Sequence, residues 1–224
     1  MQPEHTPFET GWFSVNLGKY RPHPRQITTY SGFDYDRLPP LPTDKFDGSL
    51  SWLTPMPGWL ADDMKTYQTP QDYVDKLTRQ VQQIQDEATS LNLILPIAFA
   101  RLMTSYELQN RMPSATACYF LLSESFIPLE GGWTLQFYND QQSVMGWHLF
   151  LKPGEMPGVL CALSGSNLPY EDEPTNTDYI FFTAPDFESF FYRYWLENHI
   201  WFRLTDSRPL DPEHQAYCNH YLVE

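Results

Sequence analysis

Asp140 and His148 flank a polar pinch in FYNDQQSVMGWHLFL, residues 137–151. A carboxylate and an imidazole that meet across a hairpin tune each other's pKa and suit general acid-base work, so one reading of the chain is a small-molecule hydrolase using both groups in a cleft beside a sheet. The plainer reading is structural. An Asp in an Asn-Asp pair at a turn bonds its own backbone, and a strand His opposite the core face is solvated. On that reading Asn139 to Ser143 is a connection whose role is geometric.

His214, Cys218 and His220 carry donor atoms that suit zinc, but they follow Pro209 and Pro212 in a tail without a fourth ligand nearby. No metal and no cofactor is expected. Cys118, Cys161 and Cys218 are widely spaced and odd in number, which points to neither a disulfide framework nor a paired-thiol zinc site and fits a reducing compartment. No G-x-x-x-x-G-K, G-x-G-x-x-G, H-E-x-x-H or G-x-S-x-G run occurs, and Glu130 before Gly131 and Gly132 reads as a loop carboxylate.

The densest charge is in YEDEPTNTDY, residues 170–179, where Glu171, Asp172, Glu173 and Asp178 lie in a proline-containing loop. A solvated loop accounts for it; so does a partner-binding surface complementary to Lys and Arg of another protein. The wider chain is acidic too, at a formal charge of -14, and residues 155–224 alone hold 12 acidic and 3 basic side chains. Such a balance opposes sequence-independent capture of nucleic acid, which needs phosphates neutralised by cations. It favours a basic protein partner, or simply solubility.

These groups need a scaffold, and 224 residues with 42% hydrophobic content suffice for a sizeable core. Residues 1–66 alternate prolines with rings such as Trp12, Phe13, Tyr30 and Trp52, and read as an extended arm laid over the core. Residues 67–224 read as one α+β unit. Thr69 and Pro70 open a helix whose stripe is Val74, Leu77, Val81, Ile84, Ala88 and Leu91. Pro96 opens a shorter one anchored by Ile97, Phe99, Leu102 and Met103, and Pro113 ends the helical region.

From Cys118 the period becomes two. CYFLL, WTLQFY, MGWHLFL and VLCAL read as a central antiparallel β-meander, with Trp133, Leu135 and Phe137 on one face and Trp147, Leu149 and Leu151 beside them. After YIFFTAP comes a helix with Thr183 and Asp186 as a cap pair and Phe187, Phe190, Phe191, Tyr194 and Trp195 on its face, which must pack on the meander. The tail CNHYLVE reads as an edge element or a frayed end. No export signal heads the chain, and LNLILPIAFARLM is broken by Asn92, Pro96 and Arg101 short of the ~20 residues of a membrane span, so a cytoplasmic location is expected.

Three stretches, LILPIAFARLM (93–103), GGWTLQFYNDQQSVMGWHLFL (131–151) and APDFESFFYRYWLENHIWFRL (184–204), together resemble the SUKH superfamily over roughly residues 67 to 204. In that family a Leu-Pro pair, here Leu95 and Pro96, opens the helix before a central antiparallel sheet, and an aromatic helix, here starting at Phe187 to Phe190, packs on it. The resemblance implies a non-enzymatic protein-binding role, as a regulatory scaffold or as an immunity protein that neutralises a toxin, often a nuclease. It brings no catalytic residues, and the long arm before residue 67 departs from the family pattern.

Overall fold

The computed structural model describes residues 6–21, 25–27, 30–168 and 175–222. Its first strands come from the ring-rich N-terminal segment: β1 (Glu9–Thr10), β2 (Trp12–Ser14), β3 (Arg25–Ile27) and β4 (Tyr30–Phe33). β2, β4 and β3 form a small antiparallel sheet in that order. Four helices follow, α1 (Gly58–Met64), α2 (Gln71–Ser90), α3 (Ile97–Met103) and α4 (Tyr106–Gln109). Then come β5 (Tyr119–Phe120), β6 (Ile127–Leu129), β7 (Gly132–Asn139), β8 (Met145–Leu151), β9 (Gly158–Leu163) and β10 (Ile180–Ala184), and last α5 (Phe187–Thr205) and α6 (Pro212–His220). The architecture is α+β.

The main sheet runs β1-β10-β9-β8-β7-β5, with β6 also paired to β7. All its pairings are antiparallel except β1 with β10, so the N-terminal segment closes one edge of the meander. Glu130 and Gly131, both at positive φ (45° and 75°), make the two-residue turn between β6 and β7. Two successive residues of that handedness match the twist of a tight hairpin, which places Glu130 in a turn on the exposed rim.

Alternation sorts the sheet's residues onto two faces. Leu135, Trp147, Leu149, Leu151, Val159 and Cys161 join the main core, whereas Phe150, Leu160, Ala162, Ile180 and Phe182 form a second cluster with Phe8 and Leu129. Two residues break the alternation: Thr183, where the register of β10 on β9 shifts between Phe182 and Ala184, and Phe137. The register of β7 on β8 shifts between Gln136 and Tyr138, leaving Phe137 as the extra residue of a bulge. Phe137 and Tyr138 therefore both enter the main core, and Asn139 returns to the face of Gln136, whose amide donates to Asn139 Oδ1 at 2.9 Å.

α5 is buried on every side from Phe187 to Ile200, as a helix enclosed by other elements must be. Phe187, Phe190 and Phe191 meet Phe137 with centroids 5.2, 5.7 and 5.5 Å away, and Tyr194 meets Tyr138 at 5.4 Å. The N-terminal segment adds Trp12 against Phe190 and Trp52 against Tyr192 and Trp195. The buried stripe of α2 is Val74, Leu77, Val81, Ile84 and Ala88.

Four local expectations give way. Pro70, not Thr69, stands at the start of α2, because both backbone groups of Thr69 bond the side chain of Asn110 (2.7 and 3.2 Å). Ile97 is 73% exposed: it begins α3, where Phe99, Leu102 and Met103 carry the buried side. Thr183 lies within β10, and Asp186 alone caps α5 by accepting from the backbone N–H of Ser189 at 2.8 Å. Finally, the described start of the tail, Cys218 to His220, is neither an edge nor frayed, and Val223 and Glu224 lie outside the described residues. Those residues end α6, capped by Asp211, with His214, Tyr217 and Cys218 buried and Tyr221 buried just beyond it.

Candidate functional site

Asp140 and His148 are both buried but share no hydrogen bond. Asp140 Oδ1 accepts from the Tyr30 hydroxyl at 2.6 Å, and Oδ2 accepts from the backbone N–H groups of Gln142 (2.9 Å) and Val144 (3.4 Å). This is the self-bonded turn Asp, and the 140–143 turn closes with Ser143 N–H on Asp140 O at 2.9 Å. His148 projects to the other side of β8, opposite Gln136, with neither ring nitrogen partnered. It is 1% exposed rather than solvated, and burial pushes its pKa down to about 3. A neutral imidazole with no partner and a carboxylate committed to its own turn do not form an acid-base pair.

A cleft of about 360 Å³ adjoins the turn, lined by Asp140, Gln141, Gln142, Thr116, Asn16 and Trp201. Behind it the Tyr30 hydroxyl lies 3.1 Å from Cys118 Sγ, which lies 3.2 Å from Thr116 Oγ1. Burial pushes the Cys118 thiol above its ordinary range, so it stays protonated and is no ready nucleophile. The group supports the hairpin from below.

The other residues picked out in the sequence are dispersed. Glu171, Asp172 and Glu173 lie outside the described residues. Asp178 is exposed in the short turn Thr177–Tyr179, its backbone N–H donating to Asn176 Oδ1 at 3.2 Å. His214 stacks on His199 (centroids 6.0 Å apart) with Nδ1 2.8 Å from Asp211 Oδ1, while Cys218 faces the core. Among the described residues no three His, Cys, Asp or Glu side chains converge as metal ligands, and no helix is long and apolar enough to cross a membrane.

No family model, no curated protein and no solved structure matches the chain. What it can do must be argued from its own surface.

One cleft brings acid and ring surface together. Of about 450 Å³, it is bordered by Asp44, Asp47 and Glu213 and floored by Trp52, Tyr192 and Trp195. Tyr192 and Trp195, three apart on α5, present neighbouring rings. Trp52 is held beside them because its indole N–H donates to Glu188 Oε1 at 3.1 Å, while Glu188 Oε2 accepts from Gly48 N–H at 2.7 Å. Glu213 comes from the first turn of α6, where its carboxylate accepts from the Tyr192 hydroxyl. Sequence reading missed this constellation: the only local signal was a ring-and-acid run, DKFDGSLSW (44–52), whose partners on α5 lie some 140 residues on.

Proposed function

We propose that the chain is a non-enzymatic protein-binding module of SUKH type that meets a basic protein partner, a toxin or nuclease domain, through its acidic surface in the cytoplasm. What carries the reading is where the charges sit. Of the described carboxylates only Asp140, Glu188 and Glu197 are buried, whereas Arg21 and Arg193 are withdrawn into the interior. Burial removes three described carboxylates and two guanidiniums, so the excess of acid in a chain of net charge -14 stays on the surface, and such a field speeds encounter with a basic surface and selects for it. Asp140 and His148 share no hydrogen bond, which supports this reading over a hydrolase built on that pair.

The test is affinity capture with the full chain immobilised and total protein from its native cells applied across a salt series. A basic protein retained at low salt and released as salt rises is the expected result. Recovery of no protein at any salt concentration removes the proposal.

A further inference from the structure

The cleft between the 44–52 segment, α5 and α6 already holds a cation of the chain's own. Lys45 Nζ lies 3.4 Å from Glu213 Oε1 and 5.9 Å from the centroid of Tyr192. An ammonium over an aromatic face beside a carboxylate is the arrangement that recognises alkylammonium ligands elsewhere. The lysine is loosely held. Its side chain and that of Glu213 are each 48% exposed, and ion pairs so exposed contribute little.

The surroundings are over-supplied for one lysine. Asp44 and Asp47 are both exposed at the rim, and hydrogen bonds from Ser49 hold Asp47 below its ordinary pKa and so ionised. Three carboxylates therefore border the cleft that holds this one ammonium, and Asp47 also feels the positive charge of Arg101. The floor is rigid: the three rings brace one another, with centroids 5.2 Å (Trp52 and Tyr192), 6.0 Å (Trp52 and Trp195) and 5.8 Å (Tyr192 and Trp195) apart. Trp195, only 7% exposed, has an indole N–H with no acceptor.

We propose that this cleft binds an alkylammonium group, the head of a lysine or methylated lysine, which displaces Lys45 from Tyr192 and Glu213. Lys45 is then a built-in competitor that keeps the site closed to weak cations. The inference rests on the basic-partner reading only for the source of the ammonium; the ring and carboxylate geometry stands without it.

The experiment follows the indole N–H resonances of the full ¹⁵N-labelled chain, with Trp52 and Trp195 assigned through Trp52→Phe and Trp195→Phe. Three probes are titrated at constant ionic strength: acetyl-Gly-Lys-Gly-amide, its norleucine counterpart and tetramethylammonium chloride. The lysine peptide is expected to shift both resonances saturably and the norleucine peptide is not. The double substitution Asp44→Asn/Asp47→Asn, which keeps an acceptor for Ser49, is expected to raise the peptide Kd about tenfold, and Lys45→Met to lower it several-fold. Both sites are exposed, and a circular dichroism melt confirms that the variants fold.

Saturation by tetramethylammonium as well assigns recognition to the cationic head alone; saturation by the peptide only assigns it to a lysine within a protein chain. Equal shifts from the norleucine peptide, absence of any saturable shift, or a Kd unmoved by the double substitution overturns the proposal. A chain that captures a basic protein yet gives no indole shift keeps its proposed function and loses this site. Indole shifts without a captured protein do the reverse.

Discussion

Arg21 and Glu197, 176 residues apart, form a bidentate ion pair with both side chains fully buried, at 2.6 Å (Nη1 to Oε1) and 3.0 Å (Nη2 to Oε2). Trp12 Nε1 and the Tyr217 hydroxyl also donate to Glu197, at 3.0 and 2.6 Å, and Arg21 reaches Val15 O at 2.6 Å. Burial pushes the Glu197 pKa up, yet Arg21 and these donors outweigh it and hold the carboxyl below its ordinary value. The pair joins the N-terminal segment to α5 and α6. Removing one partner leaves a buried charge alone, so Arg21→Met and Glu197→Gln should each cost about 3–5 kcal/mol, and the double variant less than their sum. Urea unfolding of the four proteins measures the coupling; additive costs would show that the two groups do not depend on each other.

The cap of α5 gives a sharper local contrast. Asp186 accepts from both the backbone N–H (2.8 Å) and the hydroxyl (2.7 Å) of Ser189, so Asp186→Ala should destabilise by about 1–2 kcal/mol. The Thr183 hydroxyl, in contrast, is buried in β10 without a partner. Thr183→Val keeps the shape and removes an unsatisfied group, so it should be neutral or stabilising. Thermal melts of both variants decide the matter, and a large loss in Thr183→Val would return the capping role to that residue.

What was legible in the sequence is what repeats with a period. The α2 stripe, the alternation of β7, β8 and β9 and the rings of α5 all follow from apolar residues at regular spacing. α6 buries His214, Tyr217, Cys218 and Tyr221 on one side, but none of them is aliphatic and two are metal-donor types, so the apolar period that marks α2 is nearly absent there. The bulge at Phe137 was invisible because an aromatic run reads the same in either register. The acid and aromatic cleft was out of reach for another reason: Trp52 meets Tyr192 and Trp195 only after the segment carrying it folds onto α5, and no local pattern encodes that distance.

Tyr30 tests how the hairpin at Asn139 to Ser143 is held. Its hydroxyl donates to Asp140 at 2.6 Å and its ring packs on Trp147 with centroids 6.0 Å apart. Tyr30→Phe keeps the ring and removes the donor from a buried carboxylate oxygen. The expected loss is about 1–3 kcal/mol in urea unfolding, with earlier proteolysis at Gln141 or Gln142. Unchanged stability would mean that the turn's own backbone bonds suffice to hold it.

Acid should destabilise the protein before its ordinary carboxylates titrate. Burial lowers His148 to about 3, and burial with the charges of His214 and Arg203 lowers His199 to about 3, against 6.5 for a free imidazole. His214 is lowered too, burial again being the main cause. A depressed imidazole pKa means that the unfolded chain binds the proton first, so this contribution is complete above pH 6.5 and is lost as pH falls toward about 3. Each histidine adds a slope of up to about 1.4 kcal/mol per pH unit in that interval. Between pH 6.5 and 5 ordinary carboxylates remain ionised, so the histidines are read almost alone. Urea midpoints should fall steadily across that window, and His148→Leu, which fills the same space without a titrating group, should flatten the slope by about 1.4 kcal/mol per pH unit. A midpoint constant from pH 6.5 to 5 in the parent protein would place these imidazoles in contact with water.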